Sequence, residues 1–248
     1  NYERSKTILK NFDKNQDFYY WYRSRKEAQI ISKTRGNKEA LNYIASKFER
    51  VENPNSKFIF DIANFYRNSK QYEQAIKYYS SIIDKLDDSN EVKADLLYRR
   101  GGSYERMGDY VNADKDLLKS LSINPNDSYV LNYLAYSWLE RNFKINEAIE
   151  MLEDAYDQES NDPYITDSIG WAYYLIDDYI KAEKFLKKAI QLMPNDPIVN
   201  DHYGDILWKL DRKMQARYFW SMVLEMEDAE KDLLDQIKIK IISGPKNS

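Results

Sequence analysis

A single histidine, His202, and no cysteine occur in the 248 residues, which removes a thiolate zinc site, a disulfide framework and a cysteine nucleophile together. No cysteine is available to pair with His202 and its helix carries no catalytic partner pattern, so it reads as a structural or groove-edge residue and not as a general base. The run Asp13-Lys14-Asn15-Gln16-Asp17 opens like a calcium loop. Phe18 stands where that loop needs glycine and Ser24 where it needs a bidentate glutamate, so the metal reading fails. The paired acids Asp87-Asp88 and Asp177-Asp178 fall in expected turns, where aspartate serves local hydrogen bonding. There is no glycine-rich phosphate loop and no cluster with metal-ligand spacing. The chemistry-bearing residues therefore point away from an enzyme and imply neither cofactor nor metal.

Composition points the same way. Seven glycines and six prolines are too few for the turns of a many-stranded sandwich or barrel. The charged fraction is 31% with both signs interspersed, as helices need when each shows one face to water and shares the other. A net charge of −4 gives no general attraction for phosphate backbones, so nucleic acid is not expected as a partner. No apolar run is long enough to span a membrane. The chain opens on Asn1 without a methionine, which points to a segment of a longer protein.

Laying the chain on itself gives the organisation. The stretch from Pro163 to Tyr173 aligns with that from Pro197 to Leu207 at an offset of 34 residues, as do Ala182 with Ala216 and Leu186 with Trp220. Ala94 opens another unit of that length, carrying Leu97, Arg100, Gly101, Tyr104, Ala113 and Leu117. Ser128 opens the next, with a single extra residue in the turn between Asn142 and Asn146. Weaker units begin near Ser56 and near Trp21, and residues 1–15 read as the second helix of a truncated unit. The expected boundaries are 16–55, 56–93, 94–127, 128–162, 163–196 and 197–228, followed by a capping helix over 229–242 and a tail over 243–248.

The spacing has a physical reading. In most units the fourth, seventh, eighth and eleventh places are apolar or small, the stripe of an amphipathic helix, and a second stripe follows a short polar turn such as Met107-Gly108-Asp109. A small residue at the eighth place, opposite alanine at the twentieth, lets the two helices of a hairpin approach closely. Runs such as Asn161-Asp162-Pro163 and Asn195-Asp196-Pro197 mark the boundaries, since Asp caps the next helix and Pro fits its first turn. In the last helix Leu233, Leu234, Ile237 and Ile241 share a face.

This pattern of large apolar, Leu or Ile, Gly or Ala, Tyr, then Ala, aromatic or Leu, and Ala resembles the tetratricopeptide repeat (TPR), over nearly the whole chain. Arg100 at a usually apolar place, Ser120 for Ala and Asp228 where Pro is usual depart from it. The resemblance implies an all-α, right-handed superhelical solenoid of about six helical hairpins with a C-terminal capping helix, acting as a protein-protein interaction scaffold. More narrowly, Leu131 to Trp138, Asp167 to Tyr173 and Asn200 to Asp205 look like the last repeats of long proteobacterial TPR proteins, some exported or lipoprotein-anchored, which implies a periplasmic or envelope location.

In this family the second, fifth, sixth, ninth, twelfth and thirteenth places commonly face a concave groove. Carried onto this chain, the resemblance places Tyr129, Asn132, Tyr133, Tyr136, Tyr164, Asp167, Trp171, Tyr174, Asp201, Asp205 and Trp208 there as partner-binding residues. It places Arg25, Lys26, Phe60, Asn64, Arg67, Tyr98, Arg99 and Arg106 towards the other end, which is expected to be basic. The chaperone-tail clamp of the family does not fit, because Asp61 and Asp95 stand where its carboxylate ligand would bind. The reading is thus a scaffold for a partner protein or extended peptide. Two alternatives stay open: a structural module that forms a homodimer, and a regulatory repeat domain of a larger protein whose other part carries an activity.

Overall fold

The computed structural model describes residues 17–87 and 89–245. The expected half-hairpin at residues 1–15, most of the calcium-like run, Asp88 and the last three residues of the tail lie outside the described residues. Among the described residues there are thirteen α-helices and no strand. They fall into two compact units, one reaching to Pro125 and the other starting at Asn126.

The first unit holds α1 (Asp17–Arg35), α2 (Asn37–Phe48), α3 (Ser56–Asn68), α4 (Tyr72–Ile83), α5 (Glu91–Arg106) and α6 (Tyr110–Ile123). Consecutive helices pair as α1 with α2, α3 with α4 and α5 with α6, and α2 packs on α3 as α4 does on α5. Trp21, Leu41, Ile44, Phe58 and Ile62 form one part of its core, and Tyr79, Ile82, Leu96 and Leu97 another. The second unit holds α7 (Ser128–Glu140), α8 (Ile145–Gln158), α9 (Pro163–Leu175), α10 (Tyr179–Leu192), α11 (Pro197–Lys209), α12 (Lys213–Leu224) and α13 (Lys231–Ser243). Here α7/α8, α9/α10 and α11/α12 are the hairpins, α9 touches both α7 and α11, and α13 packs on α12.

The turns obey one rule. The fifteenth residue of each unit from Ser56 onward, namely Lys70, Gly108, Asn142, Asp177 and Asp211, has φ between 51° and 77°. A left-handed residue ends the first helix and lets the amide immediately after it reach back to a carbonyl of the last turn. That bond recurs at Gln71 N to Tyr66 O, Asp109 N to Tyr104 O, Phe143 N to Trp138 O, Asp178 N to Tyr173 O and Arg212 N to Leu207 O, at 2.9 to 3.0 Å. The extra residue of the unit from Ser128 is accommodated beside a second left-handed residue, Lys144, with φ 46°. At the other end, Asn55, Asn90, Asp127, Asp162 and Asp196 each accept a hydrogen bond from the first turn of α3, α5, α7, α9 and α11.

Within a hairpin the small eighth place receives the large side chain of the twenty-fourth. A Cβ on Gly170 would stand 2.7 Å from Leu186 Cγ, one on Gly101 3.0 Å from Leu117 Cγ, and one on Gly204 would run into the Trp220 indole. The alanine at the twentieth place contributes more distantly, through the Ala113 carbonyl at 3.2 Å from such a Cβ on Gly101. Arg100 departs from the apolar pattern without being wasted. Its guanidinium donates to both oxygens of buried Asp116, at 2.6 and 2.8 Å, and to Ser80 Oγ at 2.9 Å.

Candidate functional site

Because α9 lies between α7 and α11, residues at equal places on these three helices share one face of the second unit. Tyr129 and Tyr164, both at the second place, are 53% and 58% exposed, and Ile198 at the same place of α11 is exposed as well. Asn132, Tyr133, Tyr136 and Trp171 are half-buried behind them. Asp167, Tyr174, Asp201 and Asp205, expected to face a ligand, are buried. Their burial has three causes: an imidazole, a ring stack and the last helix.

His202 Nδ1 lies 2.8 Å from Asp167 Oδ2. Its ring stacks on Trp171 with centroids 4.1 Å apart and planes 11° from parallel, and Trp171 also stacks on Tyr174 at 4.7 Å and 9°. The Trp171 indole donates to Glu140 at the end of α7, at 3.2 Å. Burial disfavours the imidazolium. Attraction and hydrogen bonding to Asp167, reinforced by Asp201 and Asp205, outweigh that, so the pKa of His202 lies above the ordinary imidazole value.

The last helix closes the acidic end. Lys240 of α13 donates to Asp201 Oδ1 at 2.7 Å, Asp201 Oδ2 at 2.8 Å and Asp205 Oδ2 at 2.8 Å. Even so, burial and then repulsion from Asp201 hold the Asp205 carboxyl up at about 6. Burial also pushes the phenols of Tyr136 and Tyr174 above the usual range, with Glu140 the next cause at Tyr136 and Asp205 at Tyr174. Among the described residues, the acceptor atoms Asn132 Oδ1, Asp167 Oδ1 and Asp205 Oδ1 are buried with no donor opposite them. Trp208 is half-buried, its indole packed against Gly244 just beyond α13 and flanked by the cations Lys213 and Arg217.

In the first unit the expected basic cluster is largely neutralised. Arg25 pairs with Asp61 at 3.3 Å, and the same carboxylate accepts from the Trp21 indole at 3.0 Å. Arg99 donates to both oxygens of Asp95, at 3.0 and 2.9 Å, with its guanidinium 5.2 Å from the Phe60 ring centre. Asn64 accepts from the Tyr79 hydroxyl at 2.7 Å, and exposed Arg106 has Glu105 at 3.6 Å. The acids that ruled out a chaperone-tail clamp therefore serve as counter-ions of the neighbouring arginines.

Sequence reasoning missed the partners of His202 and the reach of Lys240. Asp167 and His202 occupy the fifth place of one unit and the sixth of the next, a spacing of 35 residues that a comparison of adjacent places across neighbouring units would have exposed. Lys240 belongs to a helix outside the repeat, so no period ties it to Asp201.

A tetratricopeptide repeat family model matches residues 22–230. The TPR repeat-containing protein PA4667 of Pseudomonas aeruginosa is 33% identical over 127 residues, covering 51% of this chain and 21% of its own length. The chain thus spans about a fifth of that curated relative. Among solved structures, the thermophilic TPR protein TTC0263 of Thermus thermophilus superposes with a TM-score of 0.62 at 17% identity, over 75% of this chain and 98% of its own. Pseudomonas aeruginosa pilF gives 0.62 at 19%, over 75% and 82%, and the Cut9-Hcn1 structure of the APC/C gives 0.75 at 16%, over 96% and 45%. At these identities the solved structures speak for the fold alone.

Proposed function

The chain belongs to the tetratricopeptide repeat family, whose fold mediates protein-protein interactions, and from that premise we propose that the second unit holds an extended segment of a partner protein along the face of α7, α9 and α11. The observation that carries this reading is the recurrence of Tyr129, Tyr164 and Ile198 at one place on three adjacent helices, all exposed. Tyrosine supplies a large amphipathic contact surface with few rotatable bonds, so little entropy is lost when a partner covers it. The half-buried Tyr133, Tyr136 and Trp171 form the floor behind these side chains. The Trp171 indole donates to Glu140 and acids flank the Tyr136 phenol, which suits a partner presenting hydrogen-bond donors and apolar side chains in alternation.

The test is affinity capture from a lysate of the source organism with the whole chain, beside a Tyr129→Ala, Tyr164→Ala variant shown by circular dichroism to keep its helices. Both substitutions remove exposed rings, so the fold should hold while the captured partner's affinity falls at least tenfold. A partner retained equally by both chains would place the binding surface elsewhere.

A further inference from the structure

What a partner on this face must carry is set by the charge at its acidic end. Asp167, Asp201 and Asp205 bring three negative charges into a buried cluster, and Lys240 brings one positive charge. The balance is −3 + 1 = −2 with His202 neutral, and −1 with it protonated. Buried charge lacking a counter-charge is costly, so whatever displaces Lys240 must itself be cationic.

The hydrogen bonds show the same deficit atom by atom. An ammonium has three donors. Those of Lys240 are engaged by Asp201 Oδ1, Asp201 Oδ2 and Asp205 Oδ2. Asp205 Oδ1 and, across the His202 ring, Asp167 Oδ1 are left without one, although Asp205 is 2% and Asp167 5% exposed. A guanidinium carries five donors in a planar fork that fits carboxylates two at a time, so it can serve both oxygens of Asp205 where the lysine serves one.

The helix that delivers Lys240 is held mainly by polar contacts, Lys240 to the acids and Arg217 Nε to the Ile241 carbonyl at 2.8 Å, and buries little apolar surface. Ile237 is its one buried residue, its first turn has no side-chain cap, and Ile242 is 80% exposed. Resting on the face reading above, we propose that Asp201 and Asp205 form a recognition subsite for an arginine side chain of the partner segment, and that Lys240 of α13 fills this subsite in cis in the unbound chain. The partner's arginine displaces Lys240 because it satisfies acceptors that Lys240 leaves bare. A proton on Asp205 would relieve part of the same deficit, and since that carboxyl sits at about 6, recognition of arginine strengthens as pH rises above this value.

The probe that tests this is a fluorescein-labelled synthetic copy of residues Lys231–Ser243 with arginine at position 240, beside the same peptide with norleucine there. Fluorescence polarisation is read with the whole wild-type chain, with Lys240→Ala, and with Lys240→Ala, Asp205→Asn. The arginine probe should bind Lys240→Ala at least tenfold more tightly than wild type, and lose that gain with Asp205→Asn. The norleucine probe should bind Lys240→Ala at least tenfold more weakly than the arginine probe. Equal affinity of the two probes, or no gain in Lys240→Ala, overturns the proposal. If circular dichroism shows that Lys240→Ala has lost helix, Lys240→Met keeps the alkyl stem and is read by the same criteria. A partner captured through Tyr129 and Tyr164 whose affinity is unchanged by Asp205→Asn also overturns the subsite, and leaves the face reading standing. Arginine-selective probe binding with a captured partner insensitive to Tyr129→Ala, Tyr164→Ala supports the subsite and removes the face.

Discussion

Arg100 sits at a place the repeat reserves for apolar side chains, where an unpaired guanidinium would be severely destabilising; the two-pronged bond to Asp116 and the contact with Ser80 offset its desolvation. Removing one partner of a buried pair strands the other charge. Asp116→Ala should therefore lower unfolding free energy by about 3–5 kcal/mol, whereas Arg100→Met with Asp116→Leu should fall far closer to wild type. Urea unfolding of the two variants decides this, and equal losses would mean that the pair is replaceable one member at a time. The imidazole of His202 gives a pH signature. It faces Asp167 on α9, Asp201 and Asp205 on its own helix, and the Trp171 ring, with Lys240 bound to Asp201 and Asp205. Its folded-state pKa is raised, so its contribution is fully present below the unfolded value near 6.5 and is lost as pH rises through the folded one. The melting temperature of wild type minus that of His202→Asn should accordingly shrink between pH 6 and pH 9, and a constant or growing difference would contradict the ion-pair geometry. Asp205, held at about 6 against an ordinary value of 3.8, likewise loses stability between those two values as pH rises. The sequence shows a lone histidine and scattered acids, and the 35-residue spacing of Asp167 and His202 is the one trace of their contact that it carries. Their meeting depends on which places of neighbouring helices touch, and Asp167 and His202 touch only because α9 and α11 lie side by side.

The hairpin turns and helix starts repeat the same local solution with different residues. Lys70 adopts a left-handed backbone with φ 59°, where Gly108 stands in the third hairpin of the first unit. A β-carbon in that region costs roughly 1 kcal/mol, so Lys70→Gly should raise stability by up to about that amount, the greater freedom of glycine in the unfolded chain taking back part of the gain. A clear loss of midpoint in urea would show that the Lys70 side chain stabilises the turn more than its backbone strains it. Asp162 accepts from the amides of Tyr164 and Ile165 at 2.9 and 3.0 Å. Asp162→Ala should cost about 1 kcal/mol, read as a lower melting temperature. At this scale the sequence is informative. Asp-Pro at residues 162 to 163 and 196 to 197 announces α9 and α11, and Met107-Gly108-Asp109 announces the turn between α5 and α6. Lys70 announces nothing, because its left-handed backbone is imposed by the two helices it joins. The opposition of the eighth place to the twenty-fourth was likewise hidden, since both twentieth and twenty-fourth places are apolar in every well-formed unit.

At the scale of the whole molecule, repeats cannot each bury their own apolar face, and stability comes from stacking neighbours in units of sufficient length. The unit from Asn126 onward contains all the parts such a stack needs. Asp127 caps its first helix, accepting from the amides of Tyr129 and Val130. Three hairpins follow, whose interiors are filled by Leu134, Leu152, Ile165, Ile169, Leu186 and Trp220, none more than 1% exposed. Ile237 of α13 then closes the end. The proposed binding face and its acidic subsite both lie inside this unit. Residues 126–248 expressed alone should therefore give the circular-dichroism spectrum of an α-helical protein and melt in one cooperative transition. They should also bind the partner captured by the whole chain within about threefold of its affinity. A fragment that is unfolded, or folds only when residues 1–125 are added in trans, would show that the second unit depends on the first for its stability. A fragment that folds but fails to bind would show that the partner also needs residues before Asn126, where Arg25 and Arg99 are occupied by Asp61 and Asp95 and would have to exchange those acids for the partner's.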